Sequence, residues 1–248
     1  MRGFCGFGVD GCWRASELDT MNTNDSLLRV LDPWPCCDPA TARIADLPER
    51  EKSFFAAFMP EAVTALILGH HVTTEDEWTW YATMTGGEHC AADDHAQKLC
   101  EEIKEELIQA GHEAKLVSYP GVSGLQFRYV AEASGLGTIG TNAFLFHPVW
   151  GPWIHLRVLA TTAILDIHPK ETGNQLCNQC GSCISECPAG AISDESFVGH
   201  QCRSYRKAKG EYEPYGLSGE LRYCKRCIKV CPQGQQPIPR ILRSTVPN

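Results

Sequence analysis

The spacing Cys177-x2-Cys180-x2-Cys183-x3-Cys187-Pro188 constrains this chain more than any other feature. Thiolates two residues apart on a looping backbone can cap three corners of one iron–sulfur cubane while amide N–H groups turn toward the sulfurs. The fourth, one residue further along and followed by proline, is directed to a neighbouring cluster. Cys224-x2-Cys227-x3-Cys231-Pro232 repeats the last part of that run, and Cys202 upstream supplies its missing member. The crossed pattern predicts one [4Fe–4S] cluster on Cys177, Cys180, Cys183 and Cys231, and a second on Cys187, Cys202, Cys224 and Cys227. Two C-x2-C pairs also describe a zinc ribbon, but zinc needs neither the third cysteine at the next step nor the two Cys-Pro endings.

The other 240 of the 248 residues contain six more cysteines, Cys5, Cys12, Cys36, Cys37, Cys90 and Cys100. No apolar stretch follows Met1-Arg2 to act as a signal segment, and the most apolar run, Ala62 to Gly69, is too short to span a bilayer. Thiols in this number without export signals belong to metal or redox chemistry in a reducing compartment, so the reading is cytoplasmic, with no membrane partner. Cys100 falls on the apolar side of a predicted helix and reads as core. Cys36 and Cys37, as chain neighbours, cannot easily chelate one ion between them. With Cys5 and Cys12 they could form a third metal site; the default is free buried thiols.

Charge is unevenly spread. Residues 197–248 carry ten Lys and Arg against three Glu, or +7, so the remainder of a chain whose net charge is −8 carries −15. A basic segment can serve nucleic acid. It can equally offset the negative charge of thiolate-bound clusters, and that reading is preferred.

Upstream, the apolar run Ala62 to Gly69 suits a buried strand. Ala92, Ala96, Leu99, Ile103, Leu107 and Ala110 recur at helical spacing, with Asp93 and Asp94 near the start and Gly111 past the end. Glu113 to Tyr119 reads as a strand, Leu125 to Ser134 as a helix capped by Gly135, and Ala143 to Phe146 and Ile154 to Leu165 as two more strands. The expected fold class is α+β: a layered α/β domain over 1–172, then a small, bacterial-ferredoxin-like two-[4Fe–4S] domain over 173–248.

Gly135-Leu-Gly137-Thr138-Ile-Gly140-Thr141-Asn142 packs three glycines into six residues, enough for backbone to lie against a ligand or simply for a tight helix-to-strand connection. This turn, the strand pair ending at Leu165 and the two-cluster module, in that order, resemble the epoxyqueuosine reductase family and its relatives, the corrinoid-dependent reductive dehalogenases. The resemblance covers about Ala62 to Pro232. It implies a nitroreductase-like domain holding cobalamin, with Gly135, Gly137, Thr138, Gly140, Thr141, Asn142 and Ser204 near the corrinoid. A ferredoxin or flavodoxin would donate electrons and a small molecule would be the substrate.

Three departures stand against tRNA epoxyqueuosine as that substrate. No acid occurs between Glu113 and Glu132, where the family carries a catalytic Asp. Thr138 and Thr141 stand where Trp and Lys are usual, and the C-terminal helical-repeat extension is lacking. Dehalogenases use a Tyr as proton donor, a role that Tyr119 or Tyr129 could take, Tyr119 being preferred. The preferred reading is a corrinoid-dependent iron–sulfur oxidoreductase. The alternatives are a non-catalytic two-cluster electron carrier and a tRNA-modifying reductase.

Overall fold

The computed structural model describes residues 23–27, 29–30, 36–119, 123–169, 177–216 and 218–239. Cys5 and Cys12 lie outside them. Nine strands and six helices are used below: β1 (Cys37–Arg43), α1 (Glu49–Phe58), β2 (Thr64–His71), β3 (Trp80–Ala82), β4 (Glu88–His89), α2 (Ala91–Gln109), β5 (Ala114–Leu116), α3 (Phe127–Ala133), β6 (Thr138–Ile139), β7 (Leu145–Phe146), β8 (Ile154–Thr161), α4 (Ser182–Ser185), α5 (Gly199–Ala208), β9 (Glu220–Leu221) and α6 (Arg226–Lys229).

The main sheet has the order β1-β2-β8-β5, and every neighbouring pair is antiparallel. β2 and β8 are central and buried on both faces, which is why their sequences are near-continuous apolar runs. Alternation still sorts their side chains. Ala65, Ile67, Val158 and Ala160 face the layer that holds α1 and α3. Leu66, Leu68 and Leu159 face α2 through Ala96, Leu99, Cys100, Ile103 and Leu107. The result is a sheet covered on both sides, mixed α and β as the sequence implied. β1 carries no strand signal: it reads Cys-Asp-Pro-Ala-Thr-Ala-Arg, and Pro39 is tolerated because β1 is an edge.

The cysteine-rich segment packs beside this sheet, joining a second one of order β4-β3-β9. β9 pairs with β3, aligning Leu221 with Trp80, and β3 in turn pairs with β4. Lys225 Nζ donates to the Trp78 carbonyl at 2.5 Å, Lys229 pairs with Glu75 at 2.8 Å, and Trp153 Nε1 donates to Gln236 at 3.0 Å. Gly151 and Gly234 both have positive φ and meet backbone to backbone, so that a Cβ on Gly234 would sit 2.2 Å from the Gly151 nitrogen. Only glycine satisfies both the conformation and the approach. Among the described residues no helix is long and apolar enough to cross a membrane.

Candidate metal centres and the chamber between the layers

Short helices α4 and α6 each start within a Cys-x2-Cys run and hold the thiols on loops around their N-termini. Cys177, Cys180, Cys183 and Cys231 line one recess. Cys187, Cys202, Cys224 and Cys227 line another, so the structure gathers the eight cysteines into the two crossed quartets. Electrostatics follow the same grouping. Burial raises the Cys183 thiol, with Cys177, Cys180 and Cys231 as charged neighbours. Burial pushes Cys227 up to about 12, and Cys224, Cys202 and Cys187 add to it. Cys183 also contributes there, which places the two quartets side by side.

No three of these eight sulfurs lie within 4.8 Å of one another. Four thiolates on one zinc ion at about 2.3 Å would stand about 3.8 Å apart. Sulfurs that each cap a separate iron of a cubane are necessarily more widely spaced than that.

Polar contacts fix each quartet. Thr141 Oγ1 lies 3.5 Å from Cys177 Sγ and pulls that thiol below its usual range against the effect of burial. Ser182 does the same for Cys180 at 3.3 Å. The Ala191 N–H points at Cys187 Sγ at 3.3 Å. Glu211 accepts from the Cys224 N–H at 2.7 Å and is itself paired with Arg206 at 3.2 Å. Arg206 opposes the burial of Cys202, the role expected of cations beside a thiolate cluster.

The second quartet opens into a chamber of about 440 Å³ between the cysteine-rich segment and the sheet. Its opposite wall is formed by Trp78, Tyr119, Phe127, Phe144 and His155. Tyr119 presents its ring to the void, 36% exposed, and stacks on His155 at 5.5 Å and 2°. Burial and the nearby Asp93 raise its hydroxyl pKa, so it stays protonated. Trp78 Nε1 donates to His155 Nδ1 at 3.0 Å, and His155 Nε2 stands 2.7 Å from Asp93 Oδ1. Because an indole can only donate, the proton of His155 sits on Nε2 and points at Asp93. Arg157 closes the chain with two bonds to Asp93, at 2.7 and 2.6 Å. No pattern in the sequence links Trp78, Asp93 and the β8 pair His155 and Arg157, which come from three separate places; only the packing of β8 against the first turn of α2 brings them together.

Two glycines of the turn are required by local packing. A Cβ on Gly140 would meet the Phe146 ring at 2.3 Å, and one on Gly137 the Phe146 carbonyl at 2.3 Å. These glycines let β6 and β7 close on each other. Gly135, at φ +79°, ends α3 with nothing beside it. Thr138 is in β6, and Ser204 is exposed on α5 outside the chamber wall. Of the set, Asn142 alone lines the chamber, and its Nδ2 donates to the Cys227 carbonyl at 3.3 Å. Tyr129 lies on α3 and is likewise absent from the chamber wall. Cys100, on the sheet-facing side of α2, is fully buried, as a core residue should be.

Residues 176–234 match the family model of the 4Fe-4S double cluster binding domain. The epoxyqueuosine reductase of Synechococcus sp. (strain RCC307) is 35% identical over 130 residues, which cover 47% of this chain and 40% of that protein. The epoxyqueuosine reductase of Listeria monocytogenes is 29% identical over 131 residues, covering 51% of this chain and 34% of that protein. The matches thus span less than half the length of these curated relatives. In fold, the chain is similar to a crystal structure of selenomethionine-labelled epoxyqueuosine reductase, with TM-score 0.61, 15% identity, and coverage of 86% of this chain and 66% of that one. It is also similar to a catabolic reductive dehalogenase in complex with 3-bromo-4-hydroxybenzoic acid, with TM-score 0.51, 20% identity, and coverage of 71% of this chain and 26% of that one. The chain is a homologue of the epoxyqueuosine reductases that carries a double [4Fe–4S]-cluster-binding domain behind its α/β layers.

Proposed function

We propose that this chain is an iron–sulfur reductase of the epoxyqueuosine reductase kind, which passes electrons through two [4Fe–4S] clusters to a modified nucleoside held in the chamber. The observation that carries the reading is that the Cys187, Cys202, Cys224, Cys227 quartet shares a chamber with Tyr119 and the buried end of the Trp78–His155–Asp93 chain. Taking the oxygen out of an epoxide to leave an alkene and water consumes two electrons and two protons. Two one-electron clusters side by side match the first requirement. Tyr119 lines the chamber as the candidate donor of the first proton, and solvent supplies the second.

This reading departs from the expectation of an unknown small substrate reduced through a bound corrinoid. The relatives are named for the nucleoside. The basic residues Arg203 and Lys207, exposed on α5 next to the chamber, suit the phosphates of an RNA stem. A ferredoxin or flavodoxin would supply electrons through the first quartet.

The test is a single-turnover assay without oxygen. Reconstituted, dithionite-reduced protein is mixed with an epoxyqueuosine-containing tRNA stem loop, and the nucleosides are separated by mass. Loss of one oxygen from the nucleoside supports the proposal. An unchanged nucleoside, with clusters that still exchange electrons with ferredoxin, leaves an electron carrier instead.

A further inference from the structure

Under α2, on the sheet face opposite α1 and α3, one more group of metal-ligating side chains converges that the double-cluster match does not reach. Cys36 Sγ, Cys37 Sγ and a ring nitrogen of His70 all lie within 4.8 Å of one another, the one such group among the described residues. Chain neighbours normally point apart along a strand. Here Cys36 is in the turn that precedes β1 and Cys37 is its first residue, so both thiols reach the same side. This corrects the expectation that adjacent cysteines would not share a partner. His70 is the register partner of Cys37 across the β1–β2 ladder, and the His71 N–H holds the Cys36 carbonyl at 2.8 Å.

We propose that Cys36, Cys37 and His70 bind a zinc-class divalent ion, separate from the two iron–sulfur clusters. The distances carry the argument. Both sulfurs converge on one atom, His70 Nδ1, at 3.7 Å from Cys36 and 3.3 Å from Cys37. An sp2 ring nitrogen has one lone pair and accepts one good hydrogen bond, so two thiols aimed at it are redundant as hydrogen-bond donors. A tetrahedral ion with Zn–S of about 2.3 Å and Zn–N of about 2.05 Å separates nitrogen from each sulfur by about 3.6 Å, between the two values found.

The rest of the ring agrees. His70 is buried, and its Nε2 has no hydrogen-bond partner among the described residues, so the polar contacts of the ring are those at Nδ1. Two thiolates and an imidazole suit a borderline-soft ion and leave a fourth position. His95 on α2, exposed and with its ring 5.7 Å from that of His70, stands nearest to fill it; otherwise water does. Loading one ion displaces the two thiol protons to solvent, with no change of oxidation state.

The experiment uses the full chain with both clusters reconstituted, so that the eight cluster cysteines are occupied. The protein is equilibrated with zinc chloride, desalted without oxygen, and analysed for zinc and iron together. One zinc per chain beside about eight irons is expected. The Cys36→Ser, Cys37→Ser double variant loses the zinc and keeps the iron. If that variant does not fold, Cys36→Ser alone, at the half-exposed thiol, weakens zinc at least tenfold in a competition titration with a chromophoric chelator. Wild-type protein that retains no zinc overturns the proposal, as does a variant that keeps it. A chain lighter by about two mass units at the Cys36-Cys37 peptide, with no zinc bound, also overturns it and identifies a vicinal disulfide.

Discussion

His155 donates from Nε2 to Asp93 Oδ1 at 2.7 Å, joining the central strand of the sheet to the first turn of α2 at the edge of the chamber. The pair is buried, and Arg157 shares the same carboxylate. Burial alone would raise the Asp93 pKa; the bonds from His155 and Arg157 hold it below the usual range. Replacing Asp93 with Ala leaves the Arg157 guanidinium buried without its anion, which costs about 3–5 kcal/mol. Urea unfolding followed by tryptophan fluorescence reads this as a lower midpoint, and a change under about 1 kcal/mol contradicts the buried pair.

The same pair sets a pH dependence. Burial lowers the folded pKa of His155, an effect only partly opposed by Asp93, and burial lowers His70 to about 4. The unfolded chain therefore takes up protons near pH 6.5 that the folded chain refuses. Stability contributed by the neutral rings is complete above that pH and is lost as pH falls from about 6.5 toward the folded values. Urea midpoints at pH 7.5 and 5.5 should differ, and His155→Gln should shrink the difference.

Gly137→Ala and Gly140→Ala separate packing from ligand contact. Each adds a Cβ 2.3 Å from Phe146, so each should cost about 1–3 kcal/mol by overpacking. Gly140→Ala meets a ring that can be cut back, so Phe146→Ala restores part of its loss. Gly137→Ala meets a backbone carbonyl and is not restored. Full stability in both variants would return the turn to a ligand-binding role.

Cys183→Ala and Cys227→Ala should each remove one cubane and leave the other. Iron falls from about eight to about four per chain in both, and the reduced proteins give different paramagnetic resonance signals. Identical residual signals would contradict the crossed quartets.

Tyr119→Phe removes a phenol that lines the chamber with the second quartet and stacks on His155. Loss of a positioned proton donor lowers turnover about 10²-fold with little change in KM. Unchanged turnover would move proton delivery to another group.

The cluster ligands are legible in the amino-acid sequence because chelation of a cubane writes its demands into local spacing. Cys177 to Cys187 and Cys224 to Cys231 lie within two short runs, and the Cys-Pro endings mark which thiol crosses over. α2, β2 and β8 are legible too, since burying one helix face or a central strand imposes a period on the residues. β1 is not: an edge strand containing Asp38 and Pro39 obeys its partner, not a pattern of its own.

Three decisions belong to the tertiary structure. Gly137 and Gly140 of the glycine turn pack against Phe146, a contact no spacing announces. The chain from Trp78 through His155 and Asp93 to Arg157 exists only once β8 and α2 are packed. Cys36 and Cys37 acquire His70 through the β1–β2 register, across more than thirty residues of sequence. Short-range chelation is encoded by neighbours in the chain; a shared buried hydrogen bond or a ligand across a sheet depends on register and packing, which the whole fold sets.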